Sequence, residues 1–466
     1  MPGLCQLGSA TDRAQSVLHA LGRAVPRGVH CAVLGHTTQT EQRLDSREPA
    51  DQRRVRGMVL ILERESPTTL PLRLEGALEF GREAPQPLKD EQVSRRHVRV
   101  ALDEGGLRVT DFDSRNGTFI DGARVRSEAV FRDPRVLRVG RNLLLFVPDV
   151  TPFERYPTAL RSGAVVGPTL WKVYSAIGRA AKAGDNLLLS GESGVGKELG
   201  ARQFHAQGPY SGGPFVAVNC AAIPHGLAER LLFGARRGAY SGAAADADGY
   251  LQAAHRGTLF LDEVGELESP VQAKLLRALE RKEVLPLGSA RATAVDVRIC
   301  AATLADLRRD AAAGKFRQDL FYRLAQHAVE LPPLRQRLEE VPHLIAHELS
   351  GIEPRLQMRA AFVEACLLRP WPGNVRELKG EVRRCALLAK EEGSAELQVH
   401  HLAQTAGQSL VSTAGNSPGP TREAIEAALL AERGNVSAAA RALNIHRNQL
   451  RRFLSRHGLD AKAWSS

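Results

Sequence analysis

Asn186-Leu187-Leu188-Leu189-Ser190-Gly191-Glu192-Ser193-Gly194-Val195-Gly196-Lys197 is an apolar run that passes into a glycine-rich loop and ends on a lysine. A helical pattern follows from Lys197 through Ala206. Strand, loop and helix in that order are what a phosphate-binding loop requires. Glycines let backbone N–H groups close around phosphates, the helix N-terminus favours negative charge, and the lysine reaches the terminal phosphates. Downstream, Leu259-Phe260-Leu261-Asp262-Glu263 is a second apolar strand that ends on two carboxylates. One carboxylate at such a strand mouth can hold magnesium and its neighbour can polarise an attacking water. Around these two motifs, from Ala164 to about Gly407, strands and helices alternate, as in a parallel α/β core, and the part after Leu334 is mostly helical.

At 466 residues the chain has room for about three domains. A hydrophobic content of 43% with 25% charged residues fits ordinary globular domains. The six cysteines are scattered, with no Cys-x-x-Cys pair, so neither a zinc site nor a disulfide framework is expected and a reduced, cytoplasmic setting is. No apolar run reaches the roughly 18 residues of a membrane span, so no membrane partner is expected. The net charge of +11 is compatible with a polyanionic partner. Residues 421–466 carry eight Lys/Arg against four Asp/Glu, and five arginines fall between Arg441 and Arg456 with no acid.

Residues 1–50 read as a disordered tail. Residues 51–150 look all-β, with short strand-like runs such as Met58–Leu62, Val98–Val100 and Leu107–Val109 between Gly, Asp and Asn turns. Residues 151–162 read as a linker, 163–408 as the α/β unit with its helical end, 409–420 as a Ser/Gly/Pro linker, and 421–466 as a small helical unit.

Between the two nucleotide motifs lies Gly238-Ala239-Tyr240-Ser241-Gly242-Ala243, too glycine-rich for a helix interior and placed after the helical stretch Leu227–Phe233. It resembles the Gly-Ala-Phe-Thr-Gly-Ala loop of the bacterial enhancer-binding proteins, AAA+ activators that remodel RNA polymerase carrying sigma-54. The resemblance runs for about 240 residues. Glu198 stands where a generic phosphate loop has Ser or Thr, and Gly-Glu-Ser-Gly-x-Gly-Lys-Glu is the form usual in that family. The resemblance implies ATP and Mg2+ as cofactors. It places Gly191, Glu192, Ser193, Gly194, Val195, Gly196, Lys197 and Glu198, with Val166, Gly167 and Arg376, at the nucleotide. Asp262 becomes the metal-side residue, Glu263 the catalytic one, and Asn219 the residue that restrains it. Arg317 and Arg323, in Phe316–Leu324, fall on the two arginine-finger positions that cross a subunit boundary, so a homo-oligomer, from dimer to hexamer, is implied. Trp371–Leu378 matches the sensor II motif, and Asn374 is also suited to cap the helix there. Thr303 falls on sensor I, where Leu304 replaces the usual Asn. In the remodelling loop Tyr240 replaces Phe and Ser241 replaces Thr, both conservative changes, and the six residues Gly238 to Ala243 are the implied sigma-54 contact.

Gly81-Arg82, Val93-Ser94-Arg95-Arg96-His97 and Asp113-Ser114-Arg115-Asn116-Gly117 follow one another in the β region. They resemble the forkhead-associated (FHA) domain, a β-sandwich that binds phosphothreonine. Arg82 and Arg95 can neutralise a phosphate, and Ser94 and Asn116 can donate to it. His97 is expected to brace the loop from inside. At the other end, His446–Arg456 after a second helix resembles a Fis-type helix-turn-helix. Leu450, Phe453 and Leu454 would face inward, leaving Arg447, Asn448, Gln449, Arg451 and Arg452 for DNA.

The expected fold is therefore multidomain: an all-β FHA sandwich, an α/β AAA+ P-loop ATPase with a helical lid, and an all-α helix-turn-helix. The expected function is a sigma-54-dependent activator bound to upstream enhancer DNA. It would sense a phosphothreonine protein, such as a Ser/Thr kinase or its substrate, and open the promoter with ATP. Two alternatives stay open. One is a DNA-binding regulator whose AAA+ module does not act on sigma-54. The other is an FHA signalling adaptor that uses AAA+ only to oligomerise.

Overall fold

In the computed structural model the described residues are 54–161, 163–224, 226–240, 245–408, 422–432, 435–443, 450 and 454. The expectations on 1–50, on the linker 409–420, on Ser241, Gly242 and Ala243, and on Arg447, Asn448, Gln449, Arg451, Arg452 and Phe453 lie outside them.

Eleven strands build the first domain. They are β1 (Gly57–Glu63), β2 (Ser66–Arg73), β3 (Ala77–Gly81), β4 (Gln86–Pro87), β5 (Val98–Asp103), β6 (Gly106–Asp111), β7 (Thr118–Ile120), β8 (Ala123–Val125), β9 (Glu128–Phe131), β10 (Val136–Val139) and β11 (Asn142–Val147). One sheet runs β2-β1-β11-β10-β7-β8 and the other β4-β3-β5-β6-β9. Inward residues of both sheets, among them Met58, Leu60, Phe80, Val98, Val109 and Leu144, form the sandwich core.

The connection at 151–162, read as a linker, carries structure of its own: helix α1 (Thr151–Arg155) and strand β12 (Ala159–Arg161), which pairs with β13 (Ala164–Val166). The α/β unit follows with α2 (Pro168–Ala183), β14 (Leu187–Ser190), α3 (Lys197–Gln207), β15 (Phe215–Asn219), α4 (Ala228–Phe233), α5 (Tyr250–Ala253), β16 (Thr258–Asp262) and α6 (Ser269–Arg281). A short pair, β17 (Glu283–Val284) and β18 (Thr293–Ala294), precedes β19 (Arg298–Thr303), α7 (Leu307–Ala312), α8 (Gln318–Leu324) and β20 (His327–Glu330). The sheet order is β15-β16-β19-β14-β20, all parallel. Buried on both faces, β14 and β16 read as apolar runs rather than alternations. The register sets Ser190 beside Thr303 and Asn219 beside Asp262, so the carboxyl ends of four strands share one edge. In an open α/β sheet that edge is where ligands bind.

The lid consists of α9 (Val341–Ser350), β21 (Gln357–Met358), α10 (Ala360–Leu367), α11 (Asn374–Glu391) and β22 (Glu396–Leu397). Its core is continuous with the outer face of the sandwich. Val59, Ile61, Val136, Leu143 and Leu145 share one buried cluster with Val341, Leu344, Ile345, Phe362 and Val363. β1 is thus apolar on both faces because both are covered. An interface this apolar fixes the two domains as one body. Near the C-terminus α12 (Arg422–Ala431) and α13 (Val436–Ala442) close a small core of Ile425, Leu429, Ala439 and Ala440 with Leu450 and Leu454. No helix among the described residues is long and apolar enough to cross a membrane.

Candidate nucleotide and partner-binding sites

The loop Gly191–Gly196 joins β14 to α3. Its glycines take backbone shapes closed to other residues: φ is 144° at Gly191, 75° at Gly194 and 108° at Gly196. At Gly194 a side chain would also strike the Gly373 carbonyl, because the lid closes directly on the loop. Lys197, at the first turn of α3, is buried and donates from Nζ to the Gly191 carbonyl at 3.0 Å, and it lies 3.6 Å from Glu263 Oε1. This cradle with a cation at its floor fits a nucleoside triphosphate. Glu198 is exposed and pairs with Arg202 one turn along α3.

Asp262 ends β16, and Glu263 follows with φ 53° and ψ 50°. A left-handed glutamate is a strained choice, of the kind held at working sites by its surroundings. Here Lys197 and the Leu304 N–H, which donates to Glu263 Oε2 at 3.1 Å, hold it. Burial, and then the Glu263 charge, push the Asp262 carboxyl above its usual range against the pull of Lys197. A cation beside it would relieve that cost, which suits Asp262 to a metal.

Asn219, expected to restrain Glu263, makes a different bond. Its Oδ1 accepts from the Ala221 N–H at 3.0 Å and starts a 3-10 turn. The restraint comes from Lys197 and from the Leu304 backbone N–H just after β19, which any residue but proline could supply. Thr303, 2% exposed, closes its own turn, its hydroxyl donating to the Ala305 carbonyl at 3.2 Å. Leu304 itself projects outward, 53% exposed.

Arg376 on α11 donates to Ser193 Oγ at 3.0 Å, so the lid arginine does reach the phosphate loop. Asn374, expected as a helix cap, does other work. At φ 52° and fully buried, it accepts the Leu334 N–H at 2.8 Å on Oδ1. Its Nδ2 donates to Glu192 at 3.0 Å and to the Ser193 carbonyl at 3.0 Å. Arg335 grips the same Glu192 carboxylate with two bonds, 2.6 and 2.8 Å, and holds that acid below its usual range. Buried Arg337 bonds the Val195 carbonyl at 2.8 Å and Glu340 at 2.6 Å, and Glu340 accepts the Gly167 N–H at 2.9 Å. Sequence reasoning missed this seam of Arg335, Arg337, Glu340 and Asn374. The Arg-Gln-Arg-Leu-Glu-Glu run after Pro333 was the available signal. Val166 is buried, and Gly167 has Glu339 packed against its Cα.

Arg317 precedes α8 and pairs with Asp319 at 2.6 Å, half exposed. Arg323 points into its own subunit, where it donates to the Leu279 carbonyl at 3.2 Å. The residues of the Gly238 loop that are described show Tyr240 at 39% exposure, with its phenol bonded by Arg230 of α4 at 2.7 Å.

On the sandwich, Arg82 and Arg95 are exposed and Ser94 is half-buried. The Arg82 N–H donates to the Ser94 carbonyl at 3.0 Å, and Ser94 Oγ accepts the Arg115 N–H at 3.2 Å. Asn116 donates to the Gln92 carbonyl at 2.7 Å. His97 is buried between these loops. Its Nδ1 accepts from the Ser94 N–H at 3.0 Å and its Nε2 sits 3.2 Å from the Gly117 carbonyl. Burial lowers its pKa, so it is a neutral staple, as expected. Gly81 is required by contact: a side chain there would overlap the Arg95 carbonyl.

Glu392, His400 and His401 are close enough to share a metal. His401 Nδ1, however, accepts the Gln398 N–H at 3.0 Å, which places the ring proton on Nε2, facing Glu392 at 3.0 Å. That nitrogen is a donor, so the group is a hydrogen-bonded corner of the lid.

Four family models match the chain. They are a sigma-54 interaction domain over residues 166–330, an AAA+ ATPase lid domain over 335–417, an FHA domain over 78–145 and a bacterial regulatory protein of the Fis family over 422–457. The response regulator protein PilR of Pseudomonas aeruginosa is 40% identical over 309 residues, 63% of this chain and 69% of PilR. The transcriptional regulatory protein GlrR of Escherichia coli is 38% identical over 59% of this chain and 63% of its own, and the Nif-specific regulatory protein of Herbaspirillum seropedicae is 41% identical over 51% and 45%. The chain therefore spans about half to two thirds of the length of these relatives. Among solved structures, NtrX of Brucella abortus is similar at 31% identity over 63% of this chain and 69% of that one, with a TM-score of 0.49.

Proposed function

Because the chain belongs to the family of sigma-54-dependent bacterial enhancer-binding proteins, we propose that it is a DNA-bound transcriptional activator that hydrolyses ATP, as a ring, to remodel sigma-54 RNA polymerase. The observation that carries this reading is the convergence of Lys197, Glu263 and Arg376 at one glycine-rich loop, with Tyr240 of the Gly238 loop exposed. Lys197 would bind the terminal phosphates. Glu263, released from Lys197 when phosphates take the ammonium, would turn its carboxylate to the attacking water and take up its proton. Asp262 would hold Mg2+, which when bound supplies charge to the phosphate oxygens. Arg317, half exposed on the surface, would exchange its Asp319 partner for the phosphates of a neighbour's site. Arg323 needs to leave the Leu279 carbonyl to do the same.

Hydrolysis would drive the loop at Tyr240 against the polymerase, with the Tyr240 ring as the gripping surface. The loops around Arg82, Ser94, Arg95 and Asn116 support a phosphothreonine sensor in the FHA domain, recognising a kinase or its substrate. The C-terminal helices support binding to upstream DNA. The test is ATP turnover by the full chain together with sigma-54 capture in the presence of an ATP transition-state mimic. Turnover without capture would favour a regulator that does not act on sigma-54. Absence of turnover would favour the adaptor reading.

A further inference from the structure

Between the sandwich and the lid lies a cavity of about 470 Å3, lined on one side by Gln92, Arg138 and Arg141 and on the other by Gln398, Val399 and His400. Its near wall begins at the candidate phosphate loops, since the Gln92 carbonyl is the acceptor for Asn116 Nδ2. The Gly140 turn packs on the same loop: a side chain at Gly140 would touch Asp90, Val93 and Gln92. Its far wall presents Val399, 46% exposed, beside the exposed His400. The cations lining it are already neutralised. Arg138 is paired with Glu364 at 2.6 Å, Arg141 with buried Asp90 at 2.9 Å, and Arg359, which also lines the cavity, with Glu396 at 2.7 Å. A second phosphate therefore finds no free guanidinium, whereas a main chain with mixed polar and small apolar side chains finds donors, acceptors and an apolar edge. The volume is in the range of about 300–1,000 Å3 typical of ligand pockets.

We propose that this cleft is the second half of the phosphopeptide site: residues flanking the phosphothreonine enter between the two domains and touch the lid at Val399 and His400. The proposal rests on the reading that the FHA loops take phosphothreonine. An extended chain advances about 3.3 Å per residue, so three or four residues carry it some 10–13 Å from the phosphate. Sequence preference is then set jointly by sandwich and lid. The peptide also becomes a contact to the subdomain that bears Arg376, and whatever factor it changes nucleotide affinity by, nucleotide changes peptide affinity by the same factor.

The experiment uses the full chain and two probes. One is a capped Ala-phosphothreonine-Ala tripeptide, and the other a degenerate nonapeptide pool with a fixed central phosphothreonine. In the Val399→Ala, His400→Ala double variant the pool is expected to bind at least fivefold more weakly, while tripeptide binding stays within twofold. A second pool with benzoylphenylalanine three residues from the phosphothreonine should, on irradiation, attach to residues 398–400 of the unaltered protein. Equal effects on both probes, or attachment confined to residues 82–142, would overturn the proposal and leave the phosphothreonine reading standing. Failure of both probes to bind the unaltered protein would end that reading and this one with it.

Discussion

Glu364 of the lid holds Arg138 of the β-sandwich at 2.6 Å, and its other oxygen accepts the Gly122 N–H at 3.0 Å. The carboxylate is buried, and the guanidinium stacks 3.8 Å over the Phe119 ring. Phe119 is three residues from Asn116, so the candidate phosphate loop and the lid are joined through one side chain.

Removing one partner of a buried pair strands the other. Glu364→Ala is therefore expected to destabilise the sandwich–lid body by about 3–5 kcal/mol, and Glu364→Gln, which still accepts from Gly122, by clearly less. Thermal unfolding of the two variants checks the order. Equal midpoints for Glu364→Ala and the unaltered chain would show that the apolar contact alone makes the joint.

Burial, with Glu340 beside it, raises Glu339 to about 8, and its Oε1 has no hydrogen-bond partner among the described residues. The folded value lies above the unfolded one of roughly 4.3, so the folded state holds the extra proton between them. Stability from this group is complete below the unfolded value and is lost as pH rises toward 8, a fall of up to roughly 5 kcal/mol. Glu339→Gln should match the unaltered protein near pH 4 and exceed it near pH 8. Denaturant midpoints at the two pH values decide it, and parallel midpoints would mean Glu339 is charged in the fold.

Asn374→Ala removes the only side chain that bonds Leu334, Glu192 and Ser193 together among the described residues. Leaving a buried N–H unmet costs about 1–3 kcal/mol, and the lid should loosen from the phosphate loop. Weaker ATP binding, by roughly tenfold, is the expected result in a fluorescent-nucleotide titration. Unchanged affinity would make the seam a folding feature only.

Arg317→Ala and Arg323→Ala subunits are each expected to be inactive alone. Mixed with Lys197→Ala subunits, which keep their arginines, they should regain some turnover. No rescue in rings shown to be mixed would mean that neither arginine acts across a boundary, and for Arg323 the bond to Leu279 would then be its role.

Much of this was legible where the chemistry is local. The Gly191–Lys197 loop, the Asp262-Glu263 strand end and the His97 staple are each written in a few consecutive residues, whose backbone demands are visible as glycines and strand runs. What escaped were contacts between distant segments. Met58–Leu62 looks like any strand, yet its unbroken apolar character reports a second covered face, and only the fold shows that α9 and α10 cover it. Asn374 has the side chain of a helix cap and spends it on the phosphate loop, 181 residues back. Glu263 is held by the backbone of Leu304, and a backbone donor leaves no mark on the residue type.

The central claim, that nucleotide turnover acts on sigma-54 through the loop at Tyr240, is tested most directly by ATP-dependent opening of a sigma-54 promoter. Three proteins should be compared: the unaltered chain, Glu263→Gln, and Tyr240→Leu. The unaltered chain should open the promoter only with hydrolysable ATP. Glu263→Gln should bind ATP and open nothing, and Tyr240→Leu should hydrolyse ATP near the normal rate and still open nothing. Full opening by Tyr240→Leu, or opening by the unaltered chain without hydrolysis, would contradict the account.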